Sequence, residues 1–432
     1  MFLRQLTIRN YKSLRNVTFA PTPLTAIVGP NAAGKTNFAD AIHFLSEVYE
    51  HGLEAAIVRK GGYENIAYRK KKRAQTPIEF EVVIDTNMKE VSEYMVFSML
   101  RNRRVRSGHC KYDHYQVRLT HRFSFYASKT GIRGPFLVTG EDWSFSFSPS
   151  ETDGSFQEVA HIRRNQDGKL NITISEDSKF EHHIDISTLK LLEVFSYSTQ
   201  SLFVTNSHDQ FVKSFVMIGA DFRSYQLSAV YTRQSGVPTP NPNLSPFGEN
   251  LPALVDWLQR KHPKLWATVM DGMRDILPEL NEISARDLHT QTLGLFFNEE
   301  GIGRPWNVNE VSDGTIQSLA LLVAAVDPRT SLLLIDEVES SVHPWILRVM
   351  MKQMREVSKL KNVIVTSHSP VLVNLLKPEE IWVAYRKQGA TNLKRLVDLD
   401  PSVKAGWEEG HFQLSDFLDS GAVGQAVPGG AW

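Results

Sequence analysis

The segment Gly29-Pro30-Asn31-Ala32-Ala33-Gly34-Lys35-Thr36 constrains this chain more than any other. It reads G-x-x-x-x-G-K-[ST] in full, and its neighbours supply the setting that the pattern requires. Leu24-Thr25-Ala26-Ile27-Val28 is a continuous apolar run that stops at Gly29-Pro30, as a buried strand does where it meets a turn. After Thr36, the apolar residues Phe38, Ala41, Ile42, Leu45 and Val48 recur at three- and four-residue spacing, which predicts a helix with one buried stripe. Glycines between a strand and a helix let main-chain N–H groups wrap a phosphate, and the helix aims its positive end at the same anion. Lys35 then reaches the β- and γ-oxygens of ATP, and Thr36 offers a hydroxyl to Mg²⁺. Gly29 to Thr36, with Asn37 next in the helix, are the candidate nucleotide-binding residues. The competing reading, a plain tight turn, leaves the flanking strand and helix unexplained.

A second apolar run, Leu332-Leu333-Leu334-Ile335, ends in Asp336-Glu337. A buried parallel strand delivers the residues at its carboxyl end to the edge where ligands bind, so Asp336 is placed to hold the Mg²⁺ shell with Thr36. Glu337 is the candidate general base that polarises the attacking water. Lys361-Asn362-Val363-Ile364-Val365-Thr366-Ser367-His368 is a third strand pattern, and it brings His368 to the same edge, where an imidazole can sense the γ-phosphate or orient water. Taken alone, an acidic strand end or a strand-end histidine also fits an ordinary solvated surface.

At 432 residues the chain exceeds the size at which one core keeps growing, so two domains or one domain with a large insertion are expected. We divide it into 1–56, the first part of an α/β head; 57–290, an inserted lobe that is β-rich and then helical; and 291–432, the second part of the head with a tail. Phe2 to Ile8 alternates as a strand, and so does Ile78 to Ile84. Tyr115 to Ile186 is rich in aromatic and β-branched residues, as in Phe123-Ser124-Phe125-Tyr126 and Trp143-Ser144-Phe145-Ser146-Phe147, which predicts antiparallel strands. Leu254, Trp257 and Leu258, then Leu265, Trp266, Val269, Met270 and Ile276, mark two helices. The tail shows a short helix from Phe412 to Leu418, then a glycine-rich end.

Forty-eight Lys and Arg cancel 48 Asp and Glu, so any nucleic-acid binding has to come from local patches. Arg69-Lys70-Lys71-Lys72-Arg73 and Arg101-Asn102-Arg103-Arg104-Val105-Arg106 are two such clusters, readable as contacts to DNA phosphates or as solvated charged faces. Cys110 stands alone and pairs with no second cysteine of the chain; the N-terminus lacks the pattern of a secretory signal, and no apolar run approaches the ~20 residues of a membrane span. These features set the expectation of a cytoplasmic protein without a membrane partner.

In chain order the sequence presents the phosphate loop, Val311-Ser312-Asp313-Gly314-Thr315, Asp336-Glu337, Ser340-Ser341-Val342-His343-Pro344 and Thr366-Ser367-His368-Ser369-Pro370. This succession resembles the ABC-type ATPases of the SMC, RecF and OLD group. The resemblance covers the first ~50 residues and roughly Val308 to Leu376, and it implies a mixed sheet flanked by helices with an inserted arm or lid lobe. It also implies that Ser312, Asp313 and Gly314 form a signature loop capping the γ-phosphate held by a second subunit, in a head-to-tail homodimer or higher oligomer. Read from the residues alone, Ser312 is equally an ordinary helix cap. His343 carries a structural role by the same resemblance.

There is no heptad array, so long coiled-coil arms are not encoded, and among the relatives the short-armed ATPases of phage-defence and toxin-like operons fit best. OLD nucleases carry a nuclease domain after the ATPase. Too few residues follow His368 for one, so the expectation is a slow ATPase that regulates a separate nuclease or toxin-like effector in antiviral defence. A RecF-like repair protein acting on DNA and a scaffold locked by nucleotide are the alternative readings. A transporter engine is set aside, because the stretch between Gly34 and Ser312 exceeds the compact helical lobe of such engines.

Overall fold

Continuous apolar strands and alternating ones are covered differently, and in this chain each kind organises its own compact unit. The computed structural model describes residues 1–68, 76–87, 116–127, 136–148, 155–165, 168–175, 221–288, 291–340 and 342–420. Both basic clusters, Cys110, Ser341 and the glycine-rich end lie outside them. In chain order the strands are β1 (Phe2–Tyr11), β2 (Leu14–Phe19), β3 (Leu24–Val28), β4 (Ile78–Asn87), β5 (Gln116–Ala127), β6 (Phe136–Ser148), β7 (Gln157–Arg164) and β8 (Leu170–Ile174). They continue as β9 (Phe222–Tyr225), β10 (Leu280–Asp287), β11 (Leu293–Glu299), β12 (Trp306–Asn307), β13 (Leu332–Ile335), β14 (Asn362–Ser367), β15 (Ile381–Lys387) and β16 (Ala390–Arg395).

The first unit comprises 1–21, 40–222 and 386–393. Its strands run in the order β8-β7-β6-β5-β4-β1-β2-β16. All neighbours are antiparallel except β16, which lies parallel to β2 through Thr391 and Leu14. Strict alternation decides which face is covered: Val117, Leu119, His121, Phe123 and Phe125 of β5 are all buried, with more open residues between them. Phe80 stacks on Phe123 at 5.5 Å, and Phe44, from the helix Lys35–His51, lies 5.7 Å from Phe80. A buried polar row crosses this apolar face. Tyr49 Oη meets His121 Nδ1 at 2.9 Å, His121 Nε2 lies 3.3 Å from Glu141 Oε1, and Arg164 donates to Glu141 Oε2 at 3.4 Å. Asp40, on the same helix, accepts from Tyr11 at 2.7 Å and pairs with Lys12 and Lys60, each at 2.5 Å. Burial alone would raise the Asp40 carboxyl, but Lys60 and Lys12 outweigh it and hold it below the usual range.

The second unit comprises 22–39, 223–385 and 394–432. Its strands run β15-β3-β14-β13-β9, with β15, β3, β14 and β13 parallel. Every residue of β3, β13 and β14 is buried, the composition expected of parallel strands covered on both faces. The helix Asp313–Val326 is buried from Thr315 to Ala325 and packs against Pro263–Ile276 and Pro344–Val357. Gly272 permits that approach: a Cβ there would lie 3.0 Å from the Leu322 side chain. A separate antiparallel sheet, β10-β11-β12, joins this unit, and the helix Leu251–Lys261 donates to it through Gln259 and the Ile283 carbonyl at 2.8 Å. The tail helix Leu414–Asp419 is tied down by Asn374, which accepts from the Ser415 N–H at 2.8 Å and donates to Gln413 at 2.7 Å.

Candidate functional site

Parallel pairing aligns strand ends, and here it aligns three of them. Val28 of β3 lies opposite Ser367 of β14, and Ile335 of β13 lies opposite Val365. The loop 29–36, the pair Asp336-Glu337 and His368 therefore leave the same carboxyl edge of one sheet, where ligands of α/β sheets bind.

The phosphate loop turns through positive φ at Gly29 (145°), Ala32 (63°) and Gly34 (105°) and closes with the Ala33 N–H donating to the Pro30 carbonyl at 3.2 Å. The helix Lys35–His51 that follows carries no acidic side chain in its first turn, so its positive end is left for an anion. Lys35 is 5 % exposed, and its ammonium donates to the Gly29 and Pro30 carbonyls at 2.8 and 3.2 Å. Burial lowers the Lys35 pKa, while Asp336, Glu337 and Glu339 act on it in the opposite sense. Asn31 and Thr36 are exposed, and Asn37 is half-buried.

Asp336 is buried and Glu337 exposed, although they are consecutive. The chain separates them by placing Glu337 at φ 53°, a left-handed conformation that non-glycine residues adopt only when surroundings impose it. Thr366 imposes it. Its hydroxyl donates to Asp336 Oδ1 and accepts from the Glu337 N–H at 2.9 Å, while the Asp336 N–H donates to the Tyr225 carbonyl at 2.8 Å. Thr366 carries no chemical signal of its own in the sequence, being an uncharged strand residue one position short of the edge. Thr366→Val is expected to cost about 2–4 kcal/mol by orphaning a buried carboxylate oxygen and an N–H, visible as a lower Tm. It should also slow ATP turnover about 10- to 100-fold by releasing Glu337, with Thr366→Ser restoring both.

His368 is exposed on the same edge, and its N–H donates to Glu339 Oε1 at 2.5 Å. Burial and the Lys35 charge lower its pKa below the ordinary 6.5, with Glu339, Glu337 and Asp336 opposing them. The imidazole is therefore neutral at pH 7, able to donate from one nitrogen and accept at the other. An NMR titration should find its midpoint below 6.5. Because the folded state holds the proton less tightly, His368 lowers stability as pH falls through 6.5.

Ser312 caps the helix Asp313–Val326, its hydroxyl accepting from the Thr315 N–H at 3.1 Å. Ser312 and Asp313 are exposed, and Gly314 is half-buried. His343 caps the helix Pro344–Val357 by accepting from the Trp345 N–H at 3.2 Å.

The donors suit Mg²⁺ and a polyphosphate. Mg²⁺ takes one or two protein oxygens and completes its shell with phosphate and water, and Thr36 with Asp336 would provide that share. Among the described residues no group of three or more His, Cys, Asp or Glu forms a metal cage. Three carboxylates, Asp336, Glu337 and Glu339, act on the single Lys35 ammonium, an excess of negative charge that a divalent cation would balance.

A family model described as "AAA domain, putative AbiEii toxin, Type IV TA system" matches residues 24–374, well over half of the chain. The chain belongs to this AAA family. The family span runs from the strand before the phosphate loop to just beyond His368, so all candidate site residues fall inside it. Two curated relatives are DNA replication and repair proteins RecF. That of Beutenbergia cavernae is 33% identical over 88 residues, 19% of this chain and 22% of the relative; that of Lactobacillus acidophilus is 33% identical over 96 residues, 21% and 25%. The match thus spans about a quarter or less of their length. Among solved structures, an SMC head bound to the C-winged helix domain of ScpA superposes with a TM-score of 0.52 at 13% identity, covering 91% of this chain and 98% of that one. This AAA-family chain therefore has the mixed α/β fold of SMC-type ABC ATPase heads, as the order of its motifs implies. No helix among the described residues is long and apolar enough to cross a membrane.

Proposed function

We propose that this chain binds ATP and Mg²⁺ at the β3, β13 and β14 edge, hydrolyses ATP slowly, and dimerises head to tail around two nucleotides. What supports this reading most is the convergence of the phosphate loop, Asp336, Glu337 and His368 on one sheet edge while Ser312 and Asp313 stand exposed, with Gly314 half-buried, at the start of a different helix. Lys35 and the loop N–H groups hold the phosphates, Glu337 takes a proton from the attacking water, and neutral His368 orients that water or the γ-phosphate. Thr36 and Asp336 would hold Mg²⁺, which would supply charge neutralisation at the phosphates. The signature loop of each subunit closes on the nucleotide of the other, so that ATP joins the subunits and hydrolysis parts them.

The output of such a cycle is a conformational signal, and we assign it to control of a separate nuclease or toxin-like effector in antiviral defence. The toxin–antitoxin description of the family supports this assignment. The two RecF relatives favour a second reading, an ATPase that acts on DNA in repair. Affinity purification of tagged Glu337→Gln protein with ATP, followed by identification of the co-eluting molecules, separates them. A stoichiometric nuclease-like or toxin-like protein is the expected result. DNA held with steep salt dependence, and no such protein, would transfer the function to repair. A monomer that retains ATP but no partner would remove the dimeric cycle.

A further inference from the structure

The residues that follow β9 bear on both halves of the proposed cycle. Arg233, its side chain 18% exposed, ends the short helix Ala229–Thr232 and directs its guanidinium into the loop before the helix Asp313–Val326. Nη1 donates to the Val308 carbonyl, Nη2 donates to the Val311 carbonyl at 2.9 Å, and Nη2 also meets Asp313 Oδ1 at 2.6 Å. Those two carbonyls precede the helix and receive no helical N–H, so the planar fork of an arginine satisfies them where one ammonium would reach fewer at a time.

Charge gives the contact a second consequence. Asp313 stands in the first turn of its helix, 64% exposed, where its carboxylate favours the helix but opposes an incoming phosphate. Pairing with Arg233 cancels that repulsion and draws the carboxylate toward the guanidinium. The same stretch of chain is pinned twice more: Gln317, one turn into the signature helix, donates to the Leu227 carbonyl at 3.2 Å, and the Tyr225 carbonyl accepts from the N–H of Asp336. Residues 225–233 thus touch the acidic strand end of a subunit's own nucleotide site and the loop offered to its partner's.

We propose that Arg233 is the positioning residue of the signature loop, holding Val308 to Asp313 in the shape and charge state that accept a phosphate from a second copy of this chain. The assignment rests on the dimeric reading above. Sedimentation of full-length Glu337→Gln protein with ATP and Mg²⁺ gives the reference dimerisation constant. Adding Arg233→Gln is expected to weaken it about 10- to 100-fold, as loss of charged hydrogen bonds does, while a fluorescent ATP analogue binds each subunit within about twofold of the reference. Arg233→Lys should recover part of the loss. Asp313→Asn, which removes the ion pair and leaves both carbonyl contacts, should lose less than Arg233→Gln. In nucleotide-free protein, amide exchange across 308–316 should rise in Arg233→Gln alone.

An unchanged dimerisation constant, or unchanged exchange across that loop, overturns the role of Arg233. Lost ATP-analogue binding would mean a general defect and overturns it as well. A Glu337→Gln reference that stays monomeric with ATP identifies a different failure: the dimeric reading falls, and the phosphate-capping role of Arg233 falls with it.

Discussion

Glu337→Gln is expected to lower ATP turnover by about 10²- to 10⁴-fold, the range for removing a general base, while ATP still binds. Glutamine keeps the shape of the side chain and loses the ability to take a proton. Ground-state binding should survive because Lys35, the loop N–H groups and Asp336 are untouched, and the conformation of residue 337 is held through its N–H by Thr366, independently of the side chain. Removing one carboxylate from the three that act on Lys35 would, if anything, ease the approach of the phosphates. Single-turnover hydrolysis beside equilibrium binding measures both quantities. Turnover within threefold of the parent would remove Glu337 as the base.

Gly29→Ala should disable the proposed ATP site with a single added methyl. A Cβ at residue 29 would lie 2.1 Å from the Ala384 carbonyl oxygen, and φ of 145° already disfavours any L side chain. The obstruction is backbone, because Val28 of β3 pairs with Val383 of β15 and places the next residue of each strand in contact. Overpacking at about 1–3 kcal/mol and backbone strain at about 1–3 kcal/mol together take a large share of a net stability of about 5–15 kcal/mol. The expected result is a strongly lowered Tm with ATP binding lost even in the cold. Gly303→Ala, where a Cβ meets nothing within 4 Å, should leave the Tm within a degree or two and serves as the control. A Gly29→Ala protein that binds ATP normally would show that β15 yields at little cost.

The parts of the fold that were legible in the sequence are those with strong local signals. Leu24 to Val28 and Leu332 to Ile335 read as buried strands and form β3 and β13 with those limits, because an unbroken apolar run is stable only where both faces are covered. The stripe Phe38, Ala41, Ile42, Leu45 and Val48 is buried as its spacing requires. Aromatic alternation around Phe123 and Trp143 identified β5 and β6. His121 and Glu141 lie on the same strands, and nothing in the alternation marks them as buried partners; that depends on Tyr49 arriving from a distant helix.

What the sequence determined by itself is the set of chemical groups and the local turn that presents each one: the phosphate loop, the acidic strand end, the strand-end histidine and the capped helix at Ser312. These depend on neighbours within a few residues, and local propensity and periodicity encode them. Only the tertiary structure decided the rest. Parallel registry of β3, β14 and β13 brought residues far apart in the chain to one edge. Thr366 set the conformation of Glu337 from the adjacent strand, β15 made Gly29 obligatory, and Arg233 reached the start of the helix Asp313–Val326 across 80 residues of sequence. Hydrogen bonds and steric contact act over a few ångströms of space whatever the sequence separation, so such pairings exist only once the sheet has assembled.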